Sequence, residues 1–218
     1  IHIAGFGGSD VIDFRLLAEE SVTDAAITEL HGYGGGGKDT LYGGAAAEHL
    51  FGGGSRDMIY GGSGDDILNG GSGANHMQGD RGHDTLIIYD DKFALLSGGQ
   101  GDDQVRLDQD GIVLDLREIP DGAFQSIESV DMTGNGKNKF VVTYSEVLSI
   151  SSNNDWMIVE GDEEDRVELG EGWKWRGVRE DRYHHFVQTG ATVWVSYVTQ
   201  ATPSPGVFRL NQLDGSDG

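Results

Sequence analysis

Oxygen-bearing side chains recur at nine-residue spacing in the first half of this chain: Asp39, Glu48, Asp57, Asp66, Asn75 and Asp84, with the pattern returning at Asp103. Six of these seven are carboxylates. Carboxylates could serve as an acid/base pair, but a long row at one repeated position suits a different chemistry. Carboxylate and carbonyl oxygens are the donors that a hard cation takes. Aspartate also forms turns in glycine loops, yet turn formation alone needs no fixed register. Without a counterion the row would repel itself and oppose compaction.

The elements that must hold the row are nonapeptides. Six run without a gap: GGGGKDTLY (34–42), GGAAAEHLF (43–51), GGGSRDMIY (52–60), GGSGDDILN (61–69), GGSGANHMQ (70–78) and GDRGHDTLI (79–87). A ten-residue stretch, IYDDKFALLS (88–97), interrupts them before GGQGDDQVR (98–106), and an outlier, GFGGSDVID (5–13), precedes them. The first position is always glycine, which admits positive φ and close approach of carbonyls. The eighth is always apolar: Leu41, Leu50, Ile59, Leu68, Met77, Leu86 and Val105. Seven apolar residues in one column have a chance probability of about one in a thousand. The last three residues of a unit alternate outward, inward, outward, as a short strand does. Each unit therefore reads as a turn plus a strand, and two units as one coil. Coils stack so that units eighteen residues apart lie above one another, with the apolar column filling the interior. No unit buries that column alone, so stability comes from stacking.

The units match GGxGxDxUx, and the chain resembles the RTX (repeats-in-toxin) proteins. That resemblance implies an all-β fold: a right-handed parallel β-roll or β-solenoid with calcium-binding turns, continuing into a less regular capping β region. It also implies where calcium sits. The lower of two stacked turns gives its second and fourth carbonyls and its sixth side chain; the upper gives its first and third carbonyls and its own sixth side chain. Carried onto this sequence, one edge holds Gly35, Gly37 and Asp39 with Gly52, Gly54 and Asp57, then Gly53, Ser55 and Asp57 with Gly70, Ser72 and Asn75. The other holds Gly44, Ala46 and Glu48 with Gly61, Ser63 and Asp66, then Gly62, Gly64 and Asp66 with Gly79, Arg81 and Asp84. A fifth set, Asp80, Gly82 and Asp84 with Gly98, Gln100 and Asp103, crosses the extra residue near 88–97. About five Ca²⁺ ions are expected. Glu48 is a methylene longer than aspartate and follows three alanines, and Asn75 is neutral, so their sites should bind more weakly.

The flanks are less regular. Residues 1–33 read as an N-terminal cap, with the outlying repeat placing Asp10 in the ligand position and a helix over 14–30. Residues 34–106 are the roll, 107–200 a worn solenoid with capping strands, and 201–218 a linker to a further repeat. Strands are expected at 111–116, 127–132, 139–143, 156–160 and 166–169, and a hairpin about Thr189-Gly190. Worn repeats centre on Asn138 and on Asp165. Trp173, Trp175 and Trp194 would cap the open end. Residues 126–195 also resemble the region beside RTX repeats in large bacterial surface adhesins, carried by IESVDMTGNGKNKFVVT, IVEGDEEDRVELGEGW and the closing ATVWV. The end, Asp214–Gly218, reads as the start of another turn, and the whole as a piece of a longer protein.

The formal charge is −22, which argues against nucleic acid or an anionic membrane as partner. With no cysteine there is no disulfide or thiolate site. No apolar run reaches transmembrane length. Catalytic signatures are missing too: there is no HExxH, no GxSxG and no P-loop, and no Asp-Pro bond for self-cleavage. His184 and His185 are adjacent in a strand, point to opposite faces, and read as surface residues. The expectation is a non-catalytic, monomeric calcium-binding module of a secreted or cell-surface protein, an adhesin exported by a type I channel. Alternatives are a module that binds carbohydrate or another surface polymer through the outward Tyr42/Tyr60 pair or the C-terminal tryptophans, and an appendage of a secreted enzyme.

Overall fold

The computed structural model describes residues 1–15, 30–134, 136–150, 156–179, 183–196 and 200–203. The helix expected over 14–30 lies outside these except for Phe14, Arg15 and Leu30.

Successive nonapeptides send their strands to two opposed sheets. One sheet has eleven strands. Nine run parallel in the order His2–Ala4, Leu30–Gly36, Glu48–Gly54, Ile67–Asn69, Thr85–Ile88, Gln104–Leu107, Ser129–Asp131, Trp156–Glu160 and Ala191–Ser196. Facing it is a six-stranded parallel sheet of Val11–Asp13, Thr40–Tyr42, Met58–Ser63, His76–Arg81, Leu95–Gln100 and Phe124–Gln125. The eighteen-residue coil holds wherever the nonapeptides are unbroken: Leu41 pairs with Ile59 and Ile59 with Met77, while Leu50 pairs with Leu68 and Leu68 with Leu86. The ten-residue stretch adds one residue to the coil, so Met77 pairs with Leu96 and Leu86 with Val105. Here the chain is a parallel β-roll.

The apolar column fills the gap between the sheets. Leu41, Leu50, Ile59, Leu68, Leu86, Leu96 and Val105 are fully buried, each worth about 1.5–3 kcal/mol of transfer free energy. In the strand Leu30–Gly36 a glycine, Gly32, stands opposite Leu50. The ring of the buried Phe14 occupies the space that a side chain there would take.

The roll does not begin at Gly34. The outlier at 5–13 forms one more turn and strand: Gly5 donates to the Tyr33 carbonyl, and Val11–Asp13 pairs with Thr40–Tyr42. Beyond Arg106 the solenoid goes on with longer coils. A four-stranded parallel sheet of Val113–Asp115, Lys139–Val142, Arg166–Leu169 and Gln200–Pro203 takes over. The expected strands all occur, three of them shortened to Val113–Asp115, Ser129–Asp131 and Lys139–Val142. One short helix, Tyr144–Ile150, packs Val147 and Ile150 into the core. The chain turns at Thr189-Gly190 into an antiparallel pair, Tyr183–Gln188 with Ala191–Ser196, which Lys174–Arg179 extends. Among the described residues no helix is long and apolar enough to cross a membrane.

The end cap differs from expectation in one detail. Trp173 is buried, whereas Trp175 is largely exposed. His184 is buried rather than on the surface: it shares a strand face with the buried Phe186, stands opposite the buried Val195, and accepts from the Trp175 indole N–H through Nδ1 at 3.3 Å.

Candidate metal centre

The sixth-position side chains line the two rims of the roll, on the buried side of their turns. Asp39, Glu48, Asp57, Asp66, Asn75, Asp84 and Asp103 are all at most 3% exposed. Their two oxygens do different work. On one rim the backbone N–H of Asp10 donates to Oδ1 of Asp39, that of Asp39 to Asp57, and that of Asp57 to Oδ1 of Asn75, each at 2.8 Å. On the other rim Glu48 donates to Asp66, Asp66 to Asp84 and Asp84 to Asp103, again each at 2.8 Å. One carboxylate oxygen thus satisfies the turn below.

The second oxygen has no donor. Oδ2 of Asp10, Asp39, Asp57, Asp66, Asp84 and Asp103, and Oε1 of Glu48, are buried without a hydrogen-bond partner. A buried ionised oxygen left so costs several kcal/mol unless a cation or proton meets it. What surrounds these oxygens is more oxygen. A Cβ built on Gly61 would lie 2.5 Å from Oδ2 of Asp66 and 2.6 Å from the carbonyl oxygen of Gly79. On Gly34 it would meet Asp39 Oδ2 and the Gly52 carbonyl, and on Gly52 Asp57 Oδ2 and the Gly70 carbonyl. First-position glycine leaves open the point on which a carboxylate and a carbonyl from the next coil converge.

The lower turn's carbonyls face the same gap. The carbonyls of Gly35, Gly44 and Gly53 press on the second-position glycines above them, Gly53, Gly62 and Gly71. Those of Ala46, Ser55 and Gly64 press on the fourth-position glycines Gly64, Gly73 and Gly82. Each of these upper glycines has positive φ, between 70° and 133°. Ser55 and Asp80 hold positive φ with side chains, at 90° and 75°. Among the described residues no three His, Cys, Asp or Glu side chains converge on one point. The cradle is a pair of carboxylates with backbone carbonyls, the oxygen-only donor set that suits calcium.

The crossing near 88–97 leaves this geometry intact. Asp84 bonds to Asp103 as in the regular coils, and a Cβ on Gly79 would meet Asp84 Oδ2 and the Gly98 carbonyl. Glu48 and Asn75 depart from it. Oε2 of Glu48 folds back to accept from the Gly44 N–H at 2.8 Å, absorbing its extra methylene. Asn75 places its Nδ2 where aspartates carry the free oxygen, and donates to the Gly70 carbonyl at 2.8 Å. Above Asn75 the ladder stops, since Ala94 stands where the next carboxylate would be and donates its N–H to the Asn75 carbonyl.

Burial sets the electrostatics. It raises the carboxyls of Asp57 and Asp84 to about 6, Asp103 to about 7 and Asp66 to about 8; neighbouring carboxylates add to the rise, and the backbone N–H bonds oppose it. Glu48 is raised for the same reason.

One feature went unread in the sequence, while the worn repeats expected at Asn138 and Asp165 form a ladder of their own. Glu128 is buried and takes the ladder bond from the Asp103 N–H at 2.8 Å, although no nonapeptide surrounds it. Farther on, a third rim repeats the ladder: Ile112 donates to Oδ1 of Asn138, and Asn138 to Oδ1 of Asp165. There the other oxygen of Asp165 accepts from the Asp162 N–H at 2.7 Å, so no oxygen is stranded.

The outward Tyr42/Tyr60 pair is stacked, with ring centroids 5.2 Å apart. The Arg15 guanidinium covers the other face of Tyr42 at 3.8 Å, and His76 packs at a tilt against Tyr60. These rings line a 580 Å³ groove together with Asp80, Arg81 and Gln100.

No curated protein and no solved structure matches the chain. A family match does exist, over residues 33–59 and 51–86, to the RTX calcium-binding nonapeptide repeat. It falls on the coils that carry the stranded oxygens. Residues 33–86 are RTX calcium-binding nonapeptide repeats.

Proposed function

We propose that the chain is a non-catalytic structural module of a secreted or cell-surface bacterial protein, an adhesin, whose acidic roll folds on calcium after type I export. The observation that carries this reading is the row of buried aspartate oxygens with no donor, each beside a carbonyl of the next coil. The ligands are those assigned to the five turn pairs above. A sixth pair, the Gly5–Asp10 turn below Gly34–Asp39, has the same ladder bond and the same stranded oxygens. In calcium-poor cytosol the chain, at −22, resists compaction. Outside the cell, calcium neutralises the rims, and binding free energy becomes folding free energy.

The test is to add calcium to stripped protein and follow circular dichroism and sedimentation. A large gain of strand signal and a more compact particle are expected. No change at millimolar calcium would sink the reading.

Recognition of carbohydrate is the second reading. Its support is the groove beside Tyr42 and Tyr60, flanked by Arg81, Asp80 and Gln100. Sugar rings stack on aromatic faces, and those faces are engaged by Arg15 and by each other, so this reading is the weaker. Loss of glycan-array binding on Tyr60→Ala would restore it. Whether the module instead serves a secreted enzyme is decided by the domains beside it.

A further inference from the structure

The chain leaves the nonapeptide register after Arg106, yet one more stranded oxygen remains at the top of the roll. Asp103 is completely buried; its Oδ1 accepts from Asp84, and its Oδ2 has no partner. A Cβ on Gly98 would lie 2.4 Å from that Oδ2 and 2.1 Å from the carbonyl oxygen of Ser126. In the regular coils the same point is shared by Oδ2 and the first-position carbonyl of the next repeat. Ser126 therefore stands in for a first-position glycine, its carbonyl at the same point. Two residues later Glu128, 4% exposed, accepts the ladder bond through Oε2. Its longer side chain spans the distance that three further turn residues span elsewhere.

We propose that Asp103, Ser126 and Glu128 form an additional calcium site, which stitches the roll to the segment that follows it. It rests on the calcium reading of the roll but joins the last repeat to residues beyond the repeats, across a separation of 25 residues rather than 18. Its ligands are Asp103 Oδ2, the Ser126 carbonyl and the Glu128 carboxylate, with the second and fourth carbonyls of the lower turn, Gly99 and Gly101, on the near side. The upper turn is cut short and supplies no third-position carbonyl. Water must complete the shell, and fewer protein oxygens make a weaker site than those within the roll. Glu128 leads directly into the strand Ser129–Asp131, which pairs with Gln104–Leu107. An ion here fastens the long excursion between residues 107 and 125 at its return.

The experiment is a calcium titration of the full chain by calorimetry, wild type against Glu128→Gln, up to free calcium of about 1 mM, the range of extracellular modules. The glutamine keeps an acceptor for the Asp103 N–H, as Asn75 does for Asp57. We expect the variant to lose the weakest binding event, or to weaken it at least tenfold, with the tighter events unchanged. Equal stoichiometry and affinities in both proteins overturn the proposal. A wild type that binds no calcium overturns the reading of the roll instead. Should Glu128→Gln fail to fold, a wild-type crystal structure at saturating calcium decides: an ion bridging Asp103, Ser126 and Glu128 upholds the site, and its absence beside occupied roll sites refutes it.

Discussion

The backbone N–H of Asp66 donates to Oδ1 of Asp84 at 2.8 Å, one coil and 18 residues away. That bond makes each aspartate a structural part of the turn below and a ligand candidate in its own. The two roles are separable by mutation. Asp66→Asn keeps an acceptor for the Glu48 N–H but removes a charge shared by two turn pairs. The calcium midpoint of folding should rise roughly tenfold or more. Asp66→Ala also strands the Glu48 N–H, adding about 1–3 kcal/mol of destabilisation in calcium. Titrations followed by circular dichroism measure both.

Asn75→Asp is the converse. It exchanges the Asn75 Nδ2 bond to Gly70 for a buried oxygen without a donor. The variant should fold at a lower calcium midpoint than wild type; in chelator it should need more acid than wild type to recover strand signal. The reversal of sign between the two titrations is the diagnostic, read by circular dichroism.

Acid should act in opposite directions on the two forms. In stripped protein the carboxyls of Asp57, Asp66, Asp84 and Asp103 stand above their ordinary value of 3.8, at about 6 to 8. A folded-state pKa above the unfolded one means that the folded form holds the proton more tightly. Their contribution to stability is therefore complete below about pH 4 and disappears as pH rises through about 6 to 8. Stripped protein should regain at pH 5 strand signal that it lacks at pH 8, read by circular dichroism. With calcium the proton is a competitor, so affinity falls on acidification and binding near neutrality releases protons. Calorimetry in buffers of different ionisation enthalpy counts them.

Gly79→Ala tests the cradle itself. Gly79 lies outside the left-handed region, so the methyl brings no backbone strain; it meets Asp84 Oδ2 at 2.1 Å and the Gly98 carbonyl at 2.6 Å. Calcium binding at the Asp84 turn should be lost. Gly111→Ala is the control: φ is 80° and nothing lies within 4 Å of the added carbon. It should cost about 1–2 kcal/mol through strain and leave calcium affinity unchanged. Ser55→Gly removes a φ of 90° from a side-chain-bearing residue and should raise stability by about 1 kcal/mol.

The roll was legible because its physics repeats. Three columns of residues announced the turn, the carboxylate and the buried strand position, and the insertion near 88–97 was visible as a single added residue. Asp10 was readable for the same reason. Glu128 was not, since its turn is collapsed and a longer side chain replaces the missing backbone; only the bond from Asp103 reveals it. Gly32 was equally opaque. A glycine where the column demands an apolar residue is filled by Phe14, from the other side of a long excursion. His184, by contrast, shares the inward face of Phe186 in the alternation of its strand, so its burial was legible.

The coil length has a mechanical consequence. Neighbouring coils are held by bonds that a force along the stacking axis loads directly, so a roll pulled from its ends should unzip coil by coil rather than yield as a block. Each regular coil of 18 residues would release about 60–65 Å of extended chain. Subtracting the roughly 4.8 Å it already spans between neighbouring strands leaves steps of about 55–60 Å. A calcium-loaded roll is thus an extensible spring whose restoring units re-form singly, each on binding its own ions.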